Sequence, residues 1–324
     1  MKINMVQALN QAMAQEMERD ERVLIMGEDV GVDGGVFRIT DGLIDKFGGS
    51  RVIDTPLAES AIVGAAIGMA AYGLYPVVEI QFMGFIYLAY NQILVHAARL
   101  RNRSRGKYSM PLVIRMPYGA GVRALEHHSE STEAIFCLIP GLKVVVPSTP
   151  YDAKGLLISS IRDEDPVIFL EPKKIYRAGK QEVPEEEYEV PLGEAKIVRE
   201  GEHLTIVAWG AMVPVAQKAS EMIEKSGVFP EVIDLRTLSP IDYQTIVKSI
   251  KKTGRALIVH EAPKTCGLGA EIAALINEKA LLNLQAPVMR VTGYDITVPL
   301  LKSEHYYYPS PERVLYNIKK IMEW

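Results

Sequence analysis

Residues 54–80, DTPLAESAIVGAAIGMAAYGLYPVVEI, contain the alternation that decides the fold class. Residues 60–71 are small and apolar and predict a helix, and residues 76–80 form a β-branched run that predicts a buried strand. Further strands are predicted at residues 23–26, 112–115, 144–146 and 167–170, and further helices at residues 85–100 and 151–162. This alternation indicates an α/β fold with a mostly parallel sheet and helices on both faces.

A second alternating set follows residue 196. Its predicted strands and helices are residues 204–208, 213–225, 232–235, 243–251, 256–259, 270–279 and 288–291. The stretch before it is charged, contains Pro172, Pro184 and Pro191, and is typical of an extended linker. Because 324 residues are many for one core, we predict a first domain over residues 1–180, a linker over 181–196 and a smaller α/β domain over 197–324.

The composition narrows the classes of function. The formal net charge of −4 provides no basic field for nucleic acid. The two cysteines, Cys137 and Cys266, form no CxxC pair, which disfavours a disulfide framework or structural zinc and suits a reducing, cytoplasmic location. The chain begins with an amphipathic helical pattern that is unlike a signal peptide, and no apolar run is long enough to span a bilayer.

The segment before the helix at 60–71 carries a candidate functional carboxylate. Thr55 is predicted to cap this helix, with Pro56 at its first position. Glu59 then lies near the helix start, where the macrodipole favours a negative charge. The alternatives are a stabilising surface glutamate and a functional acid.

Aromatic residues follow the predicted strand at 76–80. Phe82, Phe85 and Tyr87 are expected at the carboxyl edge of the sheet, where open α/β sheets bind ligands. A flat ring there could stack on a heterocycle, although aromatic residues at strand ends are more often core.

A glycine-containing loop, residues 117–131, leads to the adjacent pair His127 and His128. The pair could be exposed, or Ser129 could cap a following helix, and further ligands for a metal are missing. An active-site histidine with a near-neutral pKa is the sharper hypothesis. The sequence has no P-loop and no strand-linked GxGxxG motif, which disfavours nucleotide or NAD binding by this chain.

Taken together in order, these segments resemble the beta chains of the branched-chain and pyruvate dehydrogenase decarboxylating components. The resemblance covers nearly the whole chain. It rests on residues 27–30 (GEDV), 34–38 (GGVFR), 54–59 (DTPLAE), 79–82 (EIQF), 141–147 (GLKVVVP), 151–155 (YDAKG), 165–173 (DPVIFLEPK), 232–237 (VIDLRT), 252–255 (KTGR) and 260–263 (HEAP).

The resemblance implies a thiamine diphosphate-binding fold, with a pyrimidine-binding domain followed by a transketolase C-terminal-like domain. Glu59 matches the glutamate that hydrogen-bonds N1′ of the cofactor's aminopyrimidine, and Phe85 matches the aromatic residue packed on that ring. Gln81 is implied as a further cofactor-binding residue. His128 matches the histidine at the substrate end, with His127 as its support.

The resemblance also implies a structural potassium ion, which some members bind through carbonyl groups. The matching positions are Leu112, Ser160, Ile161, Asp163 and Asp165. This ion is expected to support the fold and to take no part in catalysis.

A missing motif predicts a partner chain. The diphosphate of this cofactor needs a Gly-Asp-Gly segment to hold magnesium, and this sequence contains none. The resemblance therefore implies that an alpha subunit supplies the diphosphate and magnesium site, in an α2β2 heterotetramer. It also implies docking to a lipoyl-bearing acyltransferase core.

The segments 171–178, 208–210 and 290–295 favour a branched-chain 2-oxo acid as substrate, with pyruvate next. They are scaffold segments, so they bear on the pocket only indirectly. Residues 297–300 depart from the Pro-aromatic-Pro pattern usual in the family, and Glu126 and His127 replace more common residues before His128. An acetoin dehydrogenase beta subunit and a non-catalytic docking subunit are the alternatives.

Overall fold

A parallel sheet forms the centre of the first half of the chain in the computed structural model, which describes all 324 residues. Its six strands have the order β6-β7-β5-β4-β2-β3 and are parallel throughout, as the alternating pattern predicts. The elements are β1 (Lys2–Ile3), α1 (Met5–Arg19), β2 (Val23–Gly27), α2 (Leu43–Phe47), β3 (Val52–Asp54), α3 (Glu59–Ala71), β4 (Tyr75–Glu79), α4 (Leu100–Arg103), β5 (Val113–Tyr118), α5 (Ala134–Cys137), β6 (Lys143–Val145), α6 (Pro150–Arg162), β7 (Val167–Pro172) and β8 (Gln181–Glu182).

The second half forms a smaller sheet of the same kind. Its order is β14-β13-β10-β11-β9, and only the edge strand β9 is antiparallel. The elements are β9 (Lys196–Arg199), β10 (Leu204–Ala208), α7 (Met212–Glu224), β11 (Pro230–Asp234), β12 (Thr237–Ser239), α8 (Tyr243–Thr253), β13 (Ala256–Pro263), α9 (Leu268–Ala280), β14 (Met289–Gly293), α10 (Glu304–Tyr307) and α11 (Pro311–Met322).

Apolar side chains cover the first sheet on both faces. On one face α1 packs against α6, and Leu9, Met13 and Leu156 are fully buried between these helices and the strands. On the other face α3 and the segment 83–103 share a larger core with the second domain. Burial of each such side chain contributes about 1.5–3 kcal/mol, so the apolar patterns that predict the elements also hold them together.

The segment predicted as one helix over residues 85–100 is irregular, and that prediction is wrong in detail. Tight 3-10 turns at Met83–Ala89 and Ala97–Arg99 flank a π-helical turn at Gln92–His96. Its start packs backbone to backbone against the histidine loop, since a Cβ on Gly84 would lie 2.0 Å from the His127 carbonyl oxygen. This tertiary contact overrides the regular helical period at that end.

The predicted linker, residues 181–196, lies along the first domain. Its strand β8 pairs antiparallel with β1, and the Lys154 ammonium on α6 donates to the carbonyls of Pro184, Glu185 and Glu186 at 2.7–3.1 Å. The linker makes these contacts through its backbone groups, so its charged, proline-containing sequence does not predict them. The division into residues 1–180, 181–196 and 197–324 stays a prediction.

One strand of the second half joins the first sheet. Strand β12 pairs antiparallel with β6 and becomes the seventh strand of that sheet. Nearby, the Arg236 guanidinium binds the buried carboxylate of Asp152 on α6 at 2.5 Å. The two halves are therefore joined by a shared sheet and a buried ion pair. No helix in the structure combines the length and apolar composition that a membrane crossing needs.

Candidate active site

Parallel strands β3, β2 and β4 end side by side, and their carboxyl edge carries the predicted acid and its neighbours. Glu28 directly follows β2, Glu59 opens the helix after β3, and Gln81 lies two residues beyond β4. The carboxyl ends of adjacent parallel strands are where α/β sheets bind ligands. The topology therefore gathers residues that are far apart in sequence at one edge, which we call the first edge.

Helix α3 begins at Glu59, so the predicted cap at Thr55 and first position at Pro56 are wrong. The Thr55 N–H donates to the carbonyl of Gly27 at 2.9 Å, which keeps the chain extended beyond β3. Ala58 precedes the helix and gives no side-chain cap. Glu59 thus occupies the first turn, where the helix dipole stabilises a carboxylate, and only 8% of it is exposed, which is unlike a surface glutamate.

A second carboxyl group, Glu28, lies close to Glu59. It is 4% exposed and neither of its oxygens has a hydrogen-bond partner. Burial, followed by the charge of Glu59, raises the pKa of Glu28. Sequence reasoning quoted this residue only within a motif. The available signal was its position directly after a fully buried strand, where a polar residue is unusual unless it serves a site.

An aromatic wall stands beside the two acids. Phe82 and Phe85 pack edge to face with ring centroids 5.5 Å apart, and the ring of His128 lies 4.4 Å from Phe82 and 5.2 Å from Phe85. Gln81 donates to the carboxylate of Asp29 at 3.0 Å, which fixes its side chain at the same edge. The structure thus brings three predicted residues, Gln81, Phe85 and His128, to one place, with Phe82 between them.

The two histidines differ in environment. His127 is exposed, whereas Nδ1 of His128 is buried and has no hydrogen-bond partner. Burial, then the charges of His127 and Lys173, lower the pKa of His128. Its imidazole therefore stays neutral to lower pH than a free histidine. Ser129 caps no helix; its hydroxyl donates to the Leu125 carbonyl at 3.2 Å.

These groups fit a planar, nitrogen-rich ring. Glu59 and Glu28 offer carboxyl groups that can share a proton with a ring nitrogen, and Phe85 offers an apolar face. The orphaned carboxyl of Glu28 and the orphaned imidazole nitrogen of His128 are buried polar groups that a bound partner would satisfy. The aminopyrimidine of thiamine diphosphate has this chemistry.

The five predicted potassium positions lie together between α6, β7 and β5. The Leu112 carbonyl accepts from the Val167 N–H at 2.9 Å, and the Ser160 carbonyl accepts from the Asp163 N–H at 3.4 Å. Ser160 and Ile161 lie in the last turn of α6, where carbonyls make fewer intrahelical hydrogen bonds. The Asp165 carboxylate is already paired with Arg101 at 2.6 Å. Backbone carbonyls of this set fit a weakly bound monovalent cation, whereas the Asp165 carboxylate is engaged elsewhere.

The first edge is open. Of the five principal cavities the largest, about 550 Å³, lies at the opposite end of the first sheet beside Arg101, Lys143 and Pro166, and none of the five is lined by Glu59, Phe85 or His128. Enclosed apolar pockets are the usual form of a complete small-molecule site. Taken alone, the residues at the first edge line none of these enclosed cavities, and we call them the half-site.

Large apolar side chains surround this half-site and face outward. Val32 is 84% exposed, Leu57 is 80% exposed and Leu88 is 71% exposed, and all three follow strands or turns that form the first edge. Contiguous exposed apolar residues commonly mark a protein interface. The surface around the two acids is thus suited to a partner chain.

Comparison with known proteins agrees with this architecture. Residues 1–179 match the family model described as "Transketolase, pyrimidine binding domain", and residues 193–314 match "Transketolase, C-terminal domain". Pyruvate dehydrogenase E1 component subunit beta of Acholeplasma laidlawii is 57% identical over 98% of both chains, and that of Bacillus subtilis (strain 168) is 50% identical over 99% of both. A solved structure described as a split gene transketolase, inactive beta4 tetramer, superposes with a TM-score of 0.82 at 22% identity, over 99% of this chain and 98% of its own.

Proposed function

The chain belongs to the family of pyruvate dehydrogenase E1 beta subunits, and from that premise we propose that its first edge is one half of a thiamine diphosphate site that an alpha subunit completes. The observation that carries this proposal is the buried, orphaned carboxyl of Glu28 beside Glu59 at an open edge. Membership of this family makes the chain an oxidoreductase component of a 2-oxo acid dehydrogenase complex, with thiamine diphosphate as the implied cofactor.

Glu59 is the proposed proton-handling residue. When bound, thiamine diphosphate supplies the nucleophilic carbon and the electron sink for decarboxylation. The Glu59 carboxyl would share a proton with N1′ of the aminopyrimidine, which favours the imino tautomer of its exocyclic amine. Burial and the neighbouring charge of Glu59 raise the pKa of Glu28, against a smaller opposing effect of the Ala58 N–H, so this carboxyl holds its proton to higher pH than a free glutamate does. The position of Glu59 at a helix start and out of water makes this hydrogen bond strong.

Phe85 and Gln81 are the proposed positioning contacts for the pyrimidine ring. Phe85 is held by Phe82 on one side and by His128 on another, so its face has a fixed direction. Gln81 is oriented by its hydrogen bond to Asp29. These residues would exclude water from the ring and set its height above Glu59.

His128 is the proposed residue at the substrate end. As a largely neutral imidazole it can donate a proton from one ring nitrogen and accept a proton at the other near neutral pH. In the proposed reaction it handles protons, or binds the substrate carboxylate, while the acyl group passes to a lipoyl group on the acyltransferase core. The core itself is a proposed partner.

The alpha subunit is the proposed source of the diphosphate and magnesium site. This chain has no Gly-Asp-Gly segment, and the exposed Val32, Leu57 and Leu88 beside the first edge suit an interface. An α2β2 heterotetramer, with a cofactor between unlike chains, would cover these residues and close the half-site. Magnesium would then be held mainly by the partner.

A potassium ion is proposed at the carbonyl groups near the end of α6. We expect potassium chloride to raise the melting temperature of the assembled protein above its value in lithium chloride of equal ionic strength, because carbonyl oxygens suit the larger, less hydrated cation. Equal melting temperatures in the two salts would remove this part of the proposal.

Pyruvate is the proposed substrate, and a branched-chain 2-oxo acid is the second candidate. The relatives at 57% and 50% identity are named for pyruvate, whereas the branched-chain preference rests on scaffold segments alone. One added methylene or branch in a pocket changes selectivity by only about 1–3 kcal/mol, so small pocket differences decide between them.

The test is a substrate panel with the chain co-expressed with its alpha subunit. Oxidative decarboxylation of pyruvate and of 3-methyl-2-oxobutanoate, and oxidative cleavage of acetoin, are followed with ferricyanide as the electron acceptor, for the natural chain and for Glu59→Gln. We expect the highest kcat/KM with pyruvate and loss of that activity in the variant. Full activity of Glu59→Gln with any substrate would overturn the proposed function.

A further inference from the structure

Residues 119–130 form a closed loop that carries the two histidines. The Gly119 N–H donates to the Glu130 carbonyl at 2.8 Å, which joins the two ends of the loop. The loop follows β5 and reaches His128 just before it closes. Its conformation therefore decides where the imidazole lies.

Two carboxylates of the second domain hold the backbone of this loop. Glu261, on β13, accepts a hydrogen bond from the Ala120 N–H. Glu304, the first residue of α10, accepts from the Arg123 N–H with both oxygens, at 3.0 and 3.2 Å. Both carboxylates are buried, and charge-assisted hydrogen bonds to backbone amides are stronger than neutral ones.

The loop backbone is shaped for these contacts. Gly119 and Gly121 have φ of +84° and +105°, and Arg123 adopts +58° although it has a side chain. A Cβ on Gly119 would lie 3.0 Å from both oxygens of Glu261. A non-glycine residue in this region is strained, and the paired hydrogen bonds from the Arg123 N–H to Glu304 offset that strain.

The carboxylates of Glu261 and Glu304, with the loop N–H groups that they bind, form what we call the clamp. The clamp connects through the loop backbone to His128. The Leu125 carbonyl, two residues beyond Arg123, accepts from the His128 N–H at 3.0 Å and from the Ser129 hydroxyl at 3.2 Å. On the other side the His127 carbonyl lies against Gly84 with no room for a side chain. The histidine turn is thus fixed between the aromatic wall and the clamped part of the loop.

Two lysines balance the charge of the clamp. Lys173 is 3% exposed and its ammonium makes no hydrogen bond. Burial lowers the pKa of Lys173 to about 8, and the charges of Glu261 and Glu304 oppose this fall. The neighbouring Lys174 faces the same two carboxylates. Two buried carboxylates without a cation would be strongly destabilising, so these two lysines offset the charge of the clamp.

We infer that Glu261 and Glu304 are positioning residues for His128, through which the second domain holds the acyl-transfer end of the active site. The inference rests on the role of His128 in the proposed function. Neither carboxylate touches the first edge, so neither acts on the cofactor end. Their removal should release the loop and misplace the imidazole while Glu59, Gln81 and Phe85 stay in place.

The test uses the chain assembled with its alpha subunit and compares two half-reactions. Decarboxylation is measured with ferricyanide, and acyl transfer is measured as reductive acylation of an isolated lipoyl domain. For Glu261→Ala and Glu304→Ala we expect kcat of acyl transfer to fall about 10- to 100-fold, since small misplacements of a reacting group cost this much. Decarboxylation should stay within about twofold of the natural rate, the size of effect expected when transition-state contacts are untouched.

Conservative variants and a matched control separate position from general stability. Glu261→Gln and Glu304→Gln keep an oxygen that accepts from the loop N–H groups, so they should recover most of the acyl-transfer rate. Arg236→Gln removes the interdomain ion pair with Asp152 and shares no hydrogen bond with the loop. It should leave the ratio of the two half-reactions unchanged. Amide hydrogen exchange of residues 119–130 should accelerate in the alanine variants only.

His128→Ala is measured in the same series. If it slows acyl transfer while the alanine variants of Glu261 and Glu304 do not, the positioning inference is wrong and the proposed function stands. An equal loss of both half-reactions in the alanine and glutamine variants would also overturn it, because that pattern belongs to a structural role. If His128→Ala transfers acyl groups at the natural rate, the proposed role of His128 is wrong.

Discussion

The carboxyl edges of the two sheets are built alike, but they differ in what lies against them. At the first edge, Glu28 and His128 keep buried atoms without partners beside exposed apolar residues. At the carboxyl edge of the second sheet, which we call the second edge, polar groups are engaged by the first domain. Asp234 accepts from the Ser148 hydroxyl, and Trp209 at the end of β10 donates to Glu133 at 3.1 Å.

This difference shows that topology alone does not locate a site. Both edges satisfy the positional rule for ligand binding in α/β sheets, and both carry acidic residues. Buried atoms without hydrogen-bond partners occur at both edges, because the ring nitrogens of His260 on β13 also lack partners. What separates the edges is that the second is covered by the first domain through contacts such as Trp209 with Glu133, whereas exposed apolar residues border the first. The first edge is therefore the one at which a cofactor and a second chain are expected.

The largest effect is expected from substitution of Glu59, the central acid of the first edge. Glu59→Gln keeps the size and burial of the side chain but removes the proton that it is proposed to share. We expect decarboxylation by the assembled protein to fall by about 10²–10⁴-fold, the range for loss of a positioned acid or base. The melting temperature should change little. Asp234→Asn at the second edge is the matched control, and it should retain decarboxylation.

The pH dependence of stability should reveal a buried acid of the interdomain contact. Burial raises the pKa of Glu133 to about 7, so the folded chain keeps a proton that the unfolded chain releases near pH 4.5. This stabilisation is complete below about pH 4.5 and is lost as the pH rises through about 7. In Glu133→Gln the amide oxygen still accepts from Trp209. This variant should reduce the fall in unfolding free energy between low and high pH by up to about 3 kcal/mol.

Denaturant unfolding of the assembled protein at pH 5 and pH 8 measures this effect. Glu278→Gln, on the exposed face of α9, is the control. Its unfolding free energy should fall between pH 5 and pH 8 as much as that of the natural chain. If Glu133→Gln loses stability between the two pH values as steeply as the natural chain does, Glu133 is ionised in the folded protein and the account of this contact is incorrect.

The two ends of the half-site can be separated by substitution at the histidine. We expect His128→Ala to slow reductive acylation about 10- to 100-fold, because this residue lies beyond the aromatic wall from Glu59. Affinity for thiamine diphosphate should stay close to that of the natural chain. A loss of cofactor affinity with normal acyl transfer would place His128 at the cofactor end instead. His127→Ala, at the exposed neighbour, should have the smaller effect.

Trp209→Phe should give the smallest effect and should act on stability alone. It keeps the ring that stacks on His260 and removes the indole N–H that donates to Glu133. Loss of one donor to a buried carboxyl costs about 1–3 kcal/mol, which thermal unfolding can detect. Decarboxylation should be unchanged per assembled molecule. A selective loss of turnover would give the second edge a catalytic role. The conclusion that only the first edge serves the reaction would then be wrong.

Sequence reasoning predicted the parallel α/β fold, because β-branched strands and helices alternate with clear periods. It also selected Glu59, Gln81, Phe85 and His128, which the fold brings to one edge. It missed what depends on long-range backbone contacts, such as the start of α3 at Glu59 and the addition of β12 to the first sheet. These features have no local pattern, since they are set by hydrogen bonds between segments distant in sequence.

The role of Glu28 was missed for a different reason. Its sequence signal is one acidic residue after a buried strand, and many such residues form ion pairs. Arg115, for example, pairs in the core with Glu79 and Glu171 at 2.8 Å each. Only the three-dimensional structure distinguishes the paired carboxylates from the orphaned one, because partners are supplied by neighbouring strands.

The most direct measurement is calorimetric titration of thiamine diphosphate with magnesium into this chain alone and into the chain assembled with its alpha subunit. On the proposal that the first edge contacts only the pyrimidine and an alpha subunit binds the diphosphate, we predict binding by the assembled protein and no measurable binding by the chain alone. Glu59→Gln should weaken binding by the assembly. Tight binding by the isolated chain would contradict the account, because it would place a complete cofactor site within these 324 residues.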